Sequence, residues 1–367
     1  MLVSANDENY HYIRQFNLYY CSCTAVNLPV IATISTMPQS EQIKTQRILI
    51  SRTDAIGDVV LTLPMAAYLK ELIPGVIVSF LGRTYTQPVI NTCTAVDTFI
   101  NYDEIKKLPQ NEQVFYLKDK NIDAIIHVFP NKHVAEIAKA AGIKLRIGTT
   151  NRVFHWFTCN KLVKLSRKKS DLHEAQLNLM LLKALGLLLV PSLSDIVSHI
   201  GFERKTLLPA ELTGKLSADK FNLIIHPKSH GSGIEWGLDN FAGLINALSP
   251  DKYNVIITGS DKEKLLLKDW IGTLPATVTD MTGKMTLPQL ITFISQADGL
   301  IASGTGPLHL AAMAGINTLG LFPSARPIHP GRWAPLGKKA EYLESGTNNL
   351  DLISVDLVDK QIKLWKK

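Results

Sequence analysis

From Arg47 onward the chain alternates short apolar runs with segments of helical apolar spacing. Arg47 to Ser51 is an apolar run bounded by charge, which is how a strand buried on both faces reads. A polar turn follows from Arg52 to Asp58, and apolar positions then recur at helical spacing from Val59 to Ile73, ending at Pro74 and Gly75. Further strands are predicted over 76–81, 96–101, 123–128 and 144–148, and one long amphipathic helix over 172–189. Residues 191–217 lose this periodicity, and from Phe221 the alternation restarts. Strands over 221–226, 253–259, 276–281, 297–303 and 317–322 alternate with helices over 238–248, 262–271, 287–295 and 306–314, and a last helix spans 352–365. Strand–helix–strand repetition predicts parallel sheets with helices on both faces. The chain therefore reads as α/β, with two doubly wound, Rossmann-like domains whose strand ends face a central cleft, where ligands of such sheets bind. The expected division is an N-terminal extension over 1–46, a first domain over 47–210, a second over 211–345, and a C-terminal helix within 346–367 packing back across the domains.

Composition narrows the class. A chain of 367 residues, 46% hydrophobic and 19% charged, has enough apolar surface for two packed cores. The net charge of +7, from 39 Lys+Arg against 32 Asp+Glu, suits an anionic substrate or membrane surface, although an ordinary solvated surface gives the same balance. It is too weak for a nucleic-acid binder, and no such motif is present. No apolar run is long enough for a transmembrane helix. Cys21, Cys23, Cys93 and Cys159 lack zinc-site spacing and read as reduced thiols of a cytoplasmic protein. The first 46 residues are rich in aromatics without a basic start or cleavage site, so they do not read as a signal peptide, and Met37 offers an alternative start.

Candidate chemistry lies in the loops after strands. Ser303, Gly304, Thr305 and Gly306 join a strand to a helix that carries His309. Glycines let a ligand approach the backbone, and the free amides and dipole of a helix start attract an anion such as a diphosphate. A tight turn packed with small residues has the same appearance, and neither a Walker A loop nor GxGxxG is present. The loop from His226 to Gly233 offers Lys228, Ser229 and backbone amides to phosphate oxygens, or is simply solvated. Glu263, after the next strand, suits ribose hydroxyls, although Asp261 and Glu263 also suit a helix start. In the first half, Asp58 follows the first strand, where a carboxylate can act as general base on an acceptor hydroxyl; Asp54 competes for that role, and either can be a helix cap.

The order of these pieces is more specific than any one of them. Ile48 to Pro64, His173 to Gly186, His226 to Trp236, Thr282 to Leu287 and Gly304 to Ala312 follow one another as in the heptosyltransferase-like glycosyltransferases, family 9 of the inverting GT-B enzymes, and residues 47–337 resemble that family. The resemblance implies a metal-independent, cofactor-free transferase that takes a sugar from an ADP-linked donor, ADP-heptose in the type members, to a lipid-linked lipopolysaccharide core. It implies a cytoplasmic enzyme, peripheral at the inner face of the membrane. By the same resemblance Asp58 is the general base, Glu263 binds the ribose, Lys284 and Met285 border the nucleoside, and Gly304, Thr305, Gly306 and His309 form the diphosphate loop beside Lys228 and Ser229. Arg52 and Arg83, with Arg152, Arg167, Lys168 and Lys169, are candidate acceptor contacts on that half, or ordinary surface charges. The chain departs from the family at Gly304, often Asp, and at Ile234, often Lys; Lys228, Arg326, His329 or Arg332 would supply the missing positive charge. A catalytically degenerate nucleotide- or glycan-binding protein on the same scaffold is the alternative, and a dinucleotide-dependent dehydrogenase is disfavoured by the absent GxGxxG turn.

Overall fold

The computed structural model describes residues 46–366 except 230 and 232, so residues 1–45 of the expected extension lie outside the described residues. The chain forms two compact units that divide between Lys205 and Thr206, a few residues ahead of the expected boundary.

The first unit holds β1 (Arg47–Ser51), β2 (Ile77–Gly82), β3 (Thr98–Asn101), β4 (Ala124–His127), β5 (Leu145–Thr149) and β6 (Lys161–Val163), paired in the order β3-β2-β1-β4-β5-β6. All its pairings are parallel. Ile48, Leu49 and Ile50 are wholly buried, as an apolar run covered on both faces requires.

The second unit repeats the plan with β7 (Phe221–His226), β8 (Tyr253–Ile257), β9 (Thr279–Asp280), β10 (Gly299–Ser303), β11 (Asn317–Phe322) and β12 (Ala340–Glu344), ordered β12-β11-β10-β7-β8-β9 and again parallel. Its core gathers Trp236, Phe241, Ile257, Leu321 and Leu343. The C-terminal helix Val355–Ile362 belongs to this unit and adds Val358 and Ile362 to that core.

Three expectations change. The helix expected over 59–73 is two, Ile56–Val60 and Pro64–Leu72, because Pro64 has no amide to donate and its ring excludes the carbonyl four residues back. The long helix expected over 172–189 is α-helical only over Glu174–Leu179. It tightens to a 3-10 helix over Met180–Leu185 and stops at Gly186, whose φ of 102° is left-handed. Leu188 and Leu189 therefore lie exposed rather than in a helical stripe. The short strands β6 and β12 are additions the periodicity did not predict.

Candidate active site

In each sheet the strand order reverses direction once, between β1 and β4 and between β7 and β10. The loops leaving the carboxyl ends of those strands diverge, which makes a crevice for ligands at each point. The candidate residues fall on these and adjacent loops.

In the first unit, β1 runs directly into Arg52, whose side chain is 3% exposed. Arg52 grips Asp54 through both forks, Nε to Oδ1 at 2.8 Å and Nη2 to Oδ2 at 3.0 Å. Its Nη1 donates to Asn178 Oδ1 at 2.9 Å and Glu174 Oε1 at 3.2 Å, and its Nη2 also donates to Asp58 Oδ1. Glu174 is fully buried and accepts a second hydrogen bond from Arg167 Nε at 3.0 Å. Two guanidiniums thus hold three carboxylates at the end of one strand. Burial alone would lower the Arg52 pKa, but Asp54, Asp58 and Glu174 together raise it above its ordinary value. Burial pushes the Asp58 carboxyl up to about 6 against the pull of Arg52, with Asp54 and Glu174 adding repulsion.

Asp58 sits in the first turn of the helix Ile56–Val60, whose N-cap is Ala55, and no side chain caps it. Neither Asp54 nor Asp58 is therefore a cap. Arg52, expected as an acceptor contact, is committed to these carboxylates and Asn178, and its burial leaves it no surface to offer. Arg83 is 40% exposed and donates to Asp103 at 2.5 Å.

In the second unit every candidate donor residue lies past the carboxyl end of a strand. After β7, Glu235 organises the loop: it accepts from Lys228 Nζ at 2.5 Å, from the Ser229 amide at 2.8 Å and from Ser229 Oγ at 3.1 Å. Burial raises the Glu235 carboxyl, but Lys228 and the Ser229 amide outweigh it and hold it below its usual range. After β10, Thr305 caps the helix Gly306–Ala314, its Oγ1 accepting from the Leu308 amide at 3.4 Å, and His309 is buried one turn in. The two loops approach backbone to backbone: a Cβ on Gly233 would lie 3.2 Å from the Gly304 carbonyl oxygen. Gly304 itself faces the Phe322 ring, where a Cβ would come within 3.0 Å of Cε1. A side chain at 304 would have to displace that ring.

After β8, Ser260 and Glu263 form a capping box, with the Ser260 amide donating to Glu263 Oε2 at 2.7 Å. Ser260, not Asp261, is the cap. Glu263 Oε2 also lies 3.9 Å from His226 Nε2, and His226 Nδ1 lies 3.0 Å from Thr258 Oγ1, so the ends of β7 and β8 are tied together. After β9, Lys284 donates to the Asp280 carbonyl at 2.5 Å and is half-exposed, with Met285 beside it. Arg326 is exposed, Arg332 stacks 4.8 Å from the Trp333 ring centroid, and His329 begins the short helix Pro330–Trp333. The structure thus groups Asp58 with Arg52 in one unit. In the other it groups Lys228 with Ser229 and sets Gly304, Thr305 and Gly306 against that loop.

Sequence reasoning gave no role to Glu174, Asn178 or Glu235, and it offered Arg167 as an acceptor contact, whereas Arg167 donates to Glu174 and Asn178. The first two lie in the segment after His173 that carried part of the family resemblance, so a signal for them was present. Glu235 had none beyond its place one residue before Trp236.

A two-unit α/β scaffold with loop sites at both switch points defines the class as a GT-B glycosyltransferase. Residues 115–355, more than half of the chain, match the model of glycosyltransferase family 9 (heptosyltransferase), and the chain belongs to that family. A protein of Haemophilus influenzae is 27% identical over 338 residues, covering 87% of this chain and 96% of its own length. The lipopolysaccharide core heptosyltransferase OpsX of the same organism is 24% identical over 294 residues, 76% of this chain and 79% of its own. The Escherichia coli heptosyltransferase WaaC solved with ADP shares the fold at a TM-score of 0.68 and 18% identity, with 87% of this chain and 99% of that one covered.

Proposed function

We propose that the chain transfers a sugar, heptose from ADP-heptose, onto a hydroxyl of a lipid-linked lipopolysaccharide core, with inversion and without a metal. The observation that carries this reading is Asp58, a partly exposed carboxylate just after β1 whose pKa of about 6 leaves it ionised at neutral pH yet basic enough to accept a proton. Arg52 holds its Oδ1, leaving Oδ2 for the acceptor. In the proposed step Oδ2 takes the proton of the acceptor hydroxyl as that oxygen bonds to the anomeric carbon. The bond from this carbon to the β-phosphate oxygen breaks with its electron pair, and the nucleoside diphosphate leaves.

The charge on the leaving group is met by Lys228, by the Ser229 loop, and by the amides and dipole of the helix Gly306–Ala314 behind Gly304 and Thr305, with His309 one turn in. Those groups do the work a divalent cation does elsewhere. Glu263, buried in its capping box, holds the Ser260 turn beside the ribose, and Lys284 and Met285 border the base. The names of OpsX and of the ADP-bound relative support an ADP-linked donor and a core acceptor. Such an acceptor places the enzyme on the cytoplasmic side, at the inner face of the membrane. Among the described residues no helix is long and apolar enough to cross a membrane.

The test is a donor screen by mass spectrometry with purified protein and core-truncated lipopolysaccharide. The expected product carries one added heptose and releases ADP. Tight donor binding with no transfer to any core acceptor would instead favour the degenerate, binding-only reading.

A further inference from the structure

We propose that the helix Val153–Thr158 and the basic segment after it form the surface by which the first unit seats on an anionic lipid bilayer. The inference rests on the reading above for its lipid-linked acceptor, but its observations are separate. Val153, Trp156 and Phe157 are 77%, 62% and 72% exposed. Their spacing puts them on one helical face, while His155 and Thr158 turn inward and are buried. Three exposed large apolar side chains on one face of a single helix form a patch that calls for an occupant. Its posture is fixed from beneath: the Trp156 indole N–H donates to the Thr150 carbonyl at 2.9 Å, and Lys139 Nζ donates to the Phe157 carbonyl at 2.9 Å.

Charge selects the occupant. Between Glu136 and Asp171 the chain carries nine Lys and Arg and no Asp or Glu, although acids and bases nearly balance over the whole sequence. Lys139 and Arg152 lie at the two ends of the aromatic helix, Lys161 and Lys164 lie on and just past the edge strand β6, and Lys168 and Lys169 follow; all six are exposed. Exposed Trp and Phe beside Lys139 and Arg152, with more exposed lysines following in the chain, is the chemistry of a headgroup boundary, where rings enter the interface and cationic groups meet lipid phosphates. Protein interfaces, by contrast, are depleted in lysine. The same segment continues into Arg167, which donates to the buried Glu174, and Glu174 in turn shares Arg52 with the proposed base Asp58.

The experiment is co-sedimentation of the full chain with vesicles of phosphatidylethanolamine and phosphatidylglycerol, and with phosphatidylcholine vesicles as control. Wild type is expected to bind the anionic vesicles and to release as salt shortens the screening length. Trp156→Ser with Phe157→Ser is expected to weaken partition at least tenfold, and Lys161→Glu with Lys164→Glu by more than tenfold. Both variants are expected to keep wild-type turnover on a water-soluble core fragment, which shows that they fold. Unchanged vesicle binding in both would overturn the proposal, as would a change of oligomeric state in the aromatic variant with vesicle binding intact, since a second copy of the chain would then cover the face. Vesicle binding lost as expected, with no sugar transfer by wild type, would support the surface and count against the proposed activity.

Discussion

The two switch points share a strand order and differ in what they place there. After β1 the chain concentrates charge: Asp54, Asp58 and Arg167 form a network around the buried Arg52 and Glu174. After β7 and β10 it concentrates backbone: glycines meet at Gly233 and Gly304, a helix starts at Gly306, and one carboxylate, Glu235, shapes the loop. The difference fits the tasks proposed for the two sites. Tuning a base requires burial and fixed charges around it, because desolvation, neighbouring charges and hydrogen bonds together set a carboxyl pKa. Holding a diphosphate requires amides and close approach, which side chains obstruct. One topology thus carries two chemistries, and only the loops distinguish them.

The largest effect is expected at Asp58. Asp58→Asn should fold, bind donor with little change in KM, and lose about 10²–10⁴-fold in kcat. Stopped or steady-state assays of the purified variant check this, and near-wild-type turnover would remove Asp58 from the chemistry. The pH profile sharpens the point. A base acts only when ionised, so activity is present above its pKa and lost as pH falls through it. Log kcat/KM of wild type should bend near pH 6, the raised value of Asp58, and fall below it. Any transfer that Asp58→Asn retains should lack that acid limb.

Next comes the stability of the charged site. Arg52→Met leaves Glu174 buried with one partner removed, and loss of one member of such a network costs about 3–5 kcal/mol. Urea denaturation should show it as a large fall in midpoint. No substitution in the Lys228 loop should approach that cost, because Lys228 and Glu235 are each more than a fifth exposed.

The strands that build both switch points were legible because Arg47–Ser51 and Phe221–His226 are apolar runs bounded by polar turns, and burial on both faces leaves that mark. The helix Gly306–Ala314 was legible from its glycine start. The strands Lys161–Val163 and Ala340–Glu344 were not, being edge strands too short or too charged for a period to show. Asp58 could be singled out from its place after the first strand. The role of Arg52 could not: its partners Glu174 and Asn178 lie 122 and 126 residues away, and nothing local marks a guanidinium that will be buried. Glu235 was hidden for the opposite reason. Its partners lie only six and seven residues back, but the loop must close on itself before they meet.

A smaller effect is expected in the Lys228 loop. A charge-assisted hydrogen bond to a phosphate oxygen is worth about 1.5–3 kcal/mol, so Lys228→Ala should raise donor KM by about tenfold or more with a lesser change in kcat. Glu235→Gln should act through Lys228 and Ser229, so the double variant should cost less than the sum of the singles. Unchanged donor KM in Lys228→Ala would show that Lys228 serves Glu235 alone and that the charge comes from elsewhere.

The smallest effect is expected at Gly304, and it tests whether the second site works through open backbone. Gly304 has no positive φ to protect, and the nearest atoms an alanine there would meet are those of the Phe322 ring. That ring is confined on its other edge by Gly320, where a Cβ would lie 2.5 Å from Cε2, so it has little room to retreat. Gly304→Ala should therefore cost about 1–3 kcal/mol through overpacking, visible as a lowered Tm, while donor KM changes less than threefold. Phe322→Leu should restore part of the lost Tm in the Gly304→Ala background. A tenfold rise in donor KM with Tm preserved would reverse the assignment: Gly304 would then be open because the diphosphate lies against it, not because a ring does.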